Sequence, residues 1–220
     1  MTDFQSVKTI IFDYDGTLHD SSRIYIPAFL KAYDFLIKSG QAEEKSWSEE
    51  SITKWLGYSK KQMWQEFMPA LDAEYQEQAS KIIGQTMQQK IDNDEAVLYP
   101  HAIETLKYLK EQGYTLLFLS NCSIDYMEMH AEKFNLKKYF SKLYCTEQYD
   151  FKKSKKEIVQ LIRENYKKDF LVIGDRFQDI EVAELEHTYS IGCTYGYGRE
   201  SELEQSDVTI NDIRELTEYL

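Results

Sequence analysis

Cysteine, positive charge and long apolar runs are all scarce in this chain. Only three cysteines occur in 220 residues, Cys122, Cys145 and Cys193. Their odd number and wide spacing argue against a disulfide framework or a zinc site and suit free thiols in a reducing cytosol. Cys122 has no histidine pattern around it that would mark a nucleophile, and it reads as a small packing residue. Lysine and arginine total 26 against 38 acidic residues, a formal charge of −12. With no Lys/Arg stripe to offset it, this balance argues against a nucleic acid or an anionic membrane as partner. No apolar run approaches the ~20 residues of a membrane span. The residues before the first apolar run have neither the basic nor the hydrophobic region of a signal peptide, so a cytoplasmic protein is expected. Internal repeats and low-complexity segments are not evident.

What remains is the text of a soluble globular protein, 42% hydrophobic and 29% charged. It is long enough for one large domain, or for a core domain with a smaller companion. Residues 21–98 are helical in pattern. Ile26, Phe29, Leu30, Tyr33, Leu36 and Ile37 share one apolar helix face, with Gly40 as its stop. Ser48 is placed to cap a helix carrying Ile52, Trp55 and Leu56. Ser59 with Gln62 reads as a capping box before Met63, Trp64 and Phe67. Tyr75, Ile82, Ile83, Met87 and Ile91 predict one more long helix.

From Tyr99-Pro100 onward strands and helices alternate. Apolar runs over 114–119, 142–146, 169–173 and 189–193 predict strands. Between them lie the helical patterns Ile103/Leu106/Leu109, Met127/His130/Phe134 and Ile158/Leu161/Ile162. Such alternation predicts an α/β fold, a Rossmann-like parallel sheet with helices on both faces. The apolar run over 8–12 belongs to that sheet. The expected organisation is therefore an α/β core domain formed by 1–20 and 99–220, with an inserted α-helical domain over 21–98.

In open parallel sheets ligands bind at the carboxyl ends of the strands. Asp13 and Asp15 follow the first run directly and lead into Gly16. Strand alternation predicts that they share one face, where two carboxylates repel and invite a hard divalent cation such as Mg²⁺. An acidic turn after a strand is the plainer alternative. Ser120 and Asn121 end the second run. Gly174-Asp175 ends another, with Asp179 four residues on, the spacing of one helical turn. Either aspartate could instead cap a helix. Ser154 and Glu157 form a capping-box pattern that places Lys155 in a first helical turn. Cations are disfavoured there, so the lysine cluster around it invites an anionic partner such as a phosphate.

Taken in order, these segments resemble the four motifs of the haloacid dehalogenase-like hydrolases, in particular their phosphoglycolate phosphatase-like branch. Asp13-Tyr14-Asp15-Gly16-Thr17 is similar to the nucleophile motif, Ser120-Asn121 to the phosphate-binding motif, and Gly174-Asp175 with Asp179 to the acidic metal motif. Lys155 fits the form in which a lysine precedes x-Glu-Ile, and Lys153 fits a form with a longer gap. Gly196-Tyr197-Gly198 resembles the branch's terminal signature, and the helical insertion takes the place of its mobile cap. Arg176 stands where many relatives carry a small residue and Ser154 where proline is frequent; neither removes a group the chemistry requires.

The resemblance implies a Mg²⁺-dependent phosphatase. Asp13 would attack phosphorus to form an aspartyl-phosphate, and Asp15 would serve as general acid and base. The metal would be held by Asp13, the Asp15 backbone carbonyl and Asp175, with Asp179 supporting them. Ser120, the Asn121 backbone and the lysine would hold the phosphate oxygens. The expected partner is a small phosphorylated metabolite, and the expected assembly a monomer or homodimer. A phosphosugar mutase of the same fold would use the same motifs. A signalling receiver domain pairs similar groups but lacks both the insertion and the Asp-x-Asp-Gly-Thr order. Leu56-Gly57-Tyr58 is either a specificity loop of the cap or a plain helix end.

Overall fold

The computed structural model describes residues 4–220. Along the chain, β1 (Thr9–Phe12) is followed by α1 (Ser22–Lys38), α2 (Glu49–Thr53), α3 (Lys60–Phe67) and α4 (Ala73–Asp92). Then come α5 (Ala102–Glu111), β2 (Thr115–Ser120), α6 (Ile124–Lys133), β3 (Lys142–Cys145), α7 (Lys155–Ile162) and β4 (Phe170–Gly174). The chain closes with α8 (Phe177–Ile180), β5 (Thr188–Cys193), α9 (Glu200–Leu203), β6 (Val208–Ile210) and α10 (Leu216–Tyr219). Two compact units result, Met1–Asp20 with Leu98–Leu220, and Ser21–Val97. Among the described residues no helix is long and apolar enough to cross a membrane.

The larger unit holds a six-stranded sheet in the order β3-β2-β1-β4-β5-β6, with every neighbouring pair parallel. β1 is central, pairing Phe12 with Phe118 on one side and with Ile173 on the other. The chain builds outward from β1 through β2 and β3, then returns to β1's opposite edge with β4. The strand order thus reverses at β1, and a crevice forms at the carboxyl end of such a reversal.

Alternating side chains explain why both faces are covered. Ile10, Phe12, Leu116, Phe118, Leu171 and Ile173 enter one core with Leu106 and Leu109 of α5, Met127 and Ala131 of α6 and Leu216 of α10. Ile11, Leu117, Leu119, Phe170 and Val172 face the other way and pack on Ile158, Val159 and Ile162 of α7. β6 was not foreseen: its three residues, with Val208 half-buried and Thr209 exposed, are too few to carry a strand pattern.

In the smaller unit, α1 buries Ala28, Phe29, Ala32, Tyr33 and Leu36. Phe67 gathers Phe29, Trp47 and Trp55 at ring separations of 5.4, 5.6 and 5.6 Å. Ser48 caps α2 by accepting from the Ser51 N–H, and Ser59 and Gln62 form the capping box of α3. Gly57, in the turn after α2, has a φ of +84°, the left-handed conformation that closes helices at low steric cost.

Because Phe118 is fully buried in a central strand, Phe118→Ala should destabilise the chain by about 3–5 kcal/mol. Urea unfolding followed by circular dichroism measures this, and a loss below about 1 kcal/mol would contradict the packing described.

Candidate active site

β1 ends at Phe12, yet the Asp13 N–H still bonds the Ile173 carbonyl at 2.9 Å, so Asp13 stays fixed to the sheet. Beyond it the Tyr14 carbonyl accepts from the Thr17, Leu18 and His19 N–H groups, winding the chain into a tight loop. Gly16 has a φ of +89°, and a Cβ there would lie 2.4 Å from Asp175 Oδ2. Only glycine satisfies both the conformation and the close approach.

Asp13, Asp175 and Asp179 are 3%, 0% and 1% exposed. One carboxylate oxygen from each lies within 4.8 Å of the others. Lys155, 3% exposed, enters from the first turn of α7, where Ser154 and Glu157 make the expected capping box. Its Nζ donates to Asp13 Oδ1 at 2.5 Å and to Asp179 Oδ1 at 2.6 Å. Asp175 Oδ2 accepts from the Tyr197 and Gly198 N–H groups at 2.7 and 3.3 Å. A Cβ on Gly198 would overlap the Asp175 carbonyl at 1.7 Å, so that loop must be glycine to come so close. Asp179 Oδ2 accepts from the Arg176 N–H at 3.1 Å.

Three carboxylates against one ammonium leave two uncompensated negative charges in a buried site. Burial, and then the mutual repulsion of the carboxylates, pushes Asp13 and Asp175 up to about 7 and Asp179 up to about 6. Burial alone would lower the Lys155 ammonium, but Asp13 and Asp179 hold it above its ordinary value. A hard divalent cation fits this all-oxygen cluster and its missing positive charge.

The structure corrects two expectations. Strand alternation does not gather Asp13 and Asp15 into one cluster, because β1 ends at Phe12, although the Asp15 charge still acts on Asp13 and raises it. The Asp15 carboxylate lies outside the carboxylate cluster; its Oδ1 accepts from Tyr126 Oη at 2.7 Å and His19 Nδ1 at 2.9 Å. Burial favours the protonated form of Asp15, but the hydrogen bonds from His19 and the Tyr126 hydroxyl hold its carboxyl below the ordinary value. Nor do Asp175 and Asp179 share a helix, since α8 begins only at Phe177. The turn after Gly174 brings them together, and a Cβ on Gly174 would lie 2.1 Å from the Asp179 carboxyl carbon.

Ser120 is buried at the end of β2, beside β1. Asn121 follows it out of the strand. Lys155, not Lys153, reaches the aspartates. Arg176, the unusual residue, pairs with Glu202 at 2.9 Å. Sequence reasoning missed His19, Tyr126 and the backbone of Tyr197 and Gly198. His19 sits four residues after Asp15 and could have been asked about, but nothing in the sequence pairs Tyr126 with Asp15.

A family model described as haloacid dehalogenase-like hydrolase matches residues 7–185. The chain belongs to the haloacid dehalogenase-like hydrolases, and it is an enzyme. It is 25% identical to the phosphoglycolate phosphatase of Escherichia coli (strain K12) over 98% of this chain and 93% of that protein. It is 26% identical to that of Aliivibrio fischeri (strain ATCC 700601 / ES114) over 99% and 98%. Among solved structures, a protein described as a predicted phosphatase from Clostridium acetobutylicum shares the fold with a TM-score of 0.82, at 24% identity over 97% of this chain and 98% of that one.

Lys155→Met should lower kcat/KM by a hundredfold or more, about 3 kcal/mol or above, as expected for a lost charged clamp. Lys153→Met should leave it within about twofold, the behaviour of a surface substitution. Steady-state kinetics on both variants checks this, and the reverse ranking would refute the assignment.

A pH dependence also follows. Asp13, Asp175 and Asp179 keep their protons to about 7, 7 and 6 when folded but to only about 4 when unfolded. Folding therefore takes up protons, and the metal-free chain should lose stability as the pH rises from about 4 to 7. A cation that binds the ionised cluster reverses that loss. The rise in Tm on adding magnesium chloride should thus be larger at pH 8 than at pH 5, measured by scanning fluorimetry; a shift independent of pH would contradict it.

Proposed function

We propose that this hydrolase is a Mg²⁺-dependent phosphatase that cleaves a small phosphorylated metabolite of the phosphoglycolate type through an aspartyl-phosphate on Asp13. The observation that carries the reading is a buried carboxylate at the sheet's reversal point, bonded by one lysine and flanked by two further aspartates. Likeness to phosphoglycolate phosphatases along nearly the whole chain supports it. In this reading 1–20 with 98–220 is the catalytic domain and 21–97 its cap domain.

Asp13, the Asp15 backbone carbonyl and Asp175 would hold the metal, with Asp179 behind them. Bound there, Mg²⁺ supplies the positive charge that lets a carboxylate approach a phosphate. Lys155 orients Asp13 and carries the second positive charge toward the phosphoryl oxygens, while the Ser120 hydroxyl and the Asn121 N–H donate to them. An Asp13 oxygen attacks phosphorus as the ester oxygen leaves. The leaving oxygen needs a proton, and Asp15 delivers it. A phosphate ester near neutral pH still carries a proton in part of its population, so the substrate can load Asp15, whose resting form is the carboxylate. The same carboxylate then takes a proton from the water that attacks the aspartyl-phosphate.

A metabolite panel with inorganic phosphate as readout tests the assignment. Phosphoglycolate should release phosphate stoichiometrically, and phosphate-free conversion of one sugar phosphate into another would point to a mutase instead. Activity should vanish with a chelator and return with Mg²⁺, and Ca²⁺ should restore it poorly because its looser shell positions Asp13 less well. Asp13→Asn should fold normally and turn over nothing. Activity surviving in a homogeneous Asp13→Asn preparation would refute the reading.

A further inference from the structure

Asp15 is held in a way that the reaction outlined above does not itself require. Tyr126 Oη and His19 Nδ1, 2.7 and 2.9 Å away, both converge on Oδ1. Among the described residues no hydrogen bond is made to Oδ2. The side chain is 16% exposed and the imidazole of His19 is fully buried, so the free oxygen is the edge of Asp15 left for a ligand.

The imidazole is itself held. Tyr14 stacks on it at 5.1 Å with ring planes 11° apart, and His130 meets it edge-on at 4.5 Å. His130 is fixed in turn by a 2.7 Å hydrogen bond between its Nδ1 and the Tyr14 hydroxyl. Buried His19 Nε2 has no hydrogen-bond partner among the described residues. A bare ring nitrogen is cheaper to bury unpaired than an N–H, and a carboxylate can only accept, so His19 carries its proton on Nδ1 and donates it to Asp15. One tyrosine ring and a second imidazole therefore fix one N–H against one carboxylate oxygen.

We infer that His19 and Tyr126 are positioning residues for proton transfer, which saturate Oδ1 of Asp15 so that its acid proton resides on Oδ2 and points at the ester oxygen of the substrate. A carboxylic acid whose carbonyl-like oxygen already accepts two hydrogen bonds has one place left for its proton. Without those donors the proton would be shared between two oxygens, and the carboxyl would rotate among orientations of which few are productive. In the transfer, the O–H bond at Oδ2 breaks as the leaving oxygen gains the proton, and Asp15 is left as the carboxylate that both donors favour. The inference rests on Asp15 acting as the general acid of the proposed phosphatase.

A leaving-group comparison tests it. Acetyl phosphate expels a weakly basic carboxylate that needs no proton, whereas phenyl phosphate expels a far more basic phenoxide. The value of kcat/KM covers the steps through attack by Asp13, where the leaving group departs. Tyr126→Phe removes one hydroxyl and keeps the ring. It should lower kcat/KM on phenyl phosphate by roughly ten- to a hundredfold, part of the 10²–10⁴ that positioned acids supply. The loss on acetyl phosphate should be much smaller, so the ratio of the two values shifts by about tenfold. His19→Leu should shift the ratio the same way. His19→Asn, whose amide N–H can stand where Nδ1–H stood, should recover most of it.

Equal losses on both substrates would show that the two residues merely support the fold and would overturn the inference, as would an unchanged ratio in Tyr126→Phe. Failure of the underlying reading looks different. Wild-type enzyme would then cleave neither substrate, or Asp13→Asn would cleave both, and the inference would fall with it.

Discussion

Burying three carboxylates together is the constraint on which the rest of this molecule depends. Each pair of like charges at ~4 Å costs roughly 4 kcal/mol at an effective dielectric near 20, and Asp13, Asp175 and Asp179 form three such close pairs. Lys155 offsets one charge while bonding two of the aspartates. The other compensation comes from backbone: the Tyr197, Gly198 and Arg176 N–H groups donate to Asp175 and Asp179. The glycines follow from this, because Gly16, Gly174 and Gly198 occur where a Cβ would collide with one of these aspartates. What remains uncompensated is what a divalent cation and a phosphate ester bring in together.

Two aspartates separated by one residue end in opposite electrostatic settings. Asp13 is pushed up by burial and by the carboxylates it faces, whereas Asp15, though also buried, faces hydrogen-bond donors and is held down. Enzymes divide work between carboxylates by such contrasts of environment. Here the division arises from the loop after β1. Asp13 stays tied to the sheet through the Ile173 carbonyl, while the turn at Gly16 carries Asp15 toward the aromatic and imidazole side chains of α6.

The sheet's topology brings these groups to one place. β1 lies between β2 and β4, so residues just past its end adjoin those past the ends of both neighbours. Ser120 and Asn121 come from β2, and Asp175 and Asp179 follow β4. The apolar strands that carry them are buried on both faces, which gives the rim a rigid base on which closely approaching glycine loops are built.

The sequence by itself determined the alternation of strand and helix, the capping boxes at Ser59 and Ser154 and the presence of aspartates at the ends of apolar runs. All of these depend on neighbours within a few residues. Only the tertiary structure decided that Lys155 and not Lys153 enters the carboxylate cluster. That choice depends on how α7 docks against β1, a contact between residues 142 apart in the chain. Likewise, periodicity put Asp13 and Asp15 on one face, but periodicity lapses where the strand ends. The partner that draws Asp15 away lies 111 residues on. Short-range pattern shows which groups reach the rim, whereas the direction each one takes there is set by long-range packing, which no local pattern encodes.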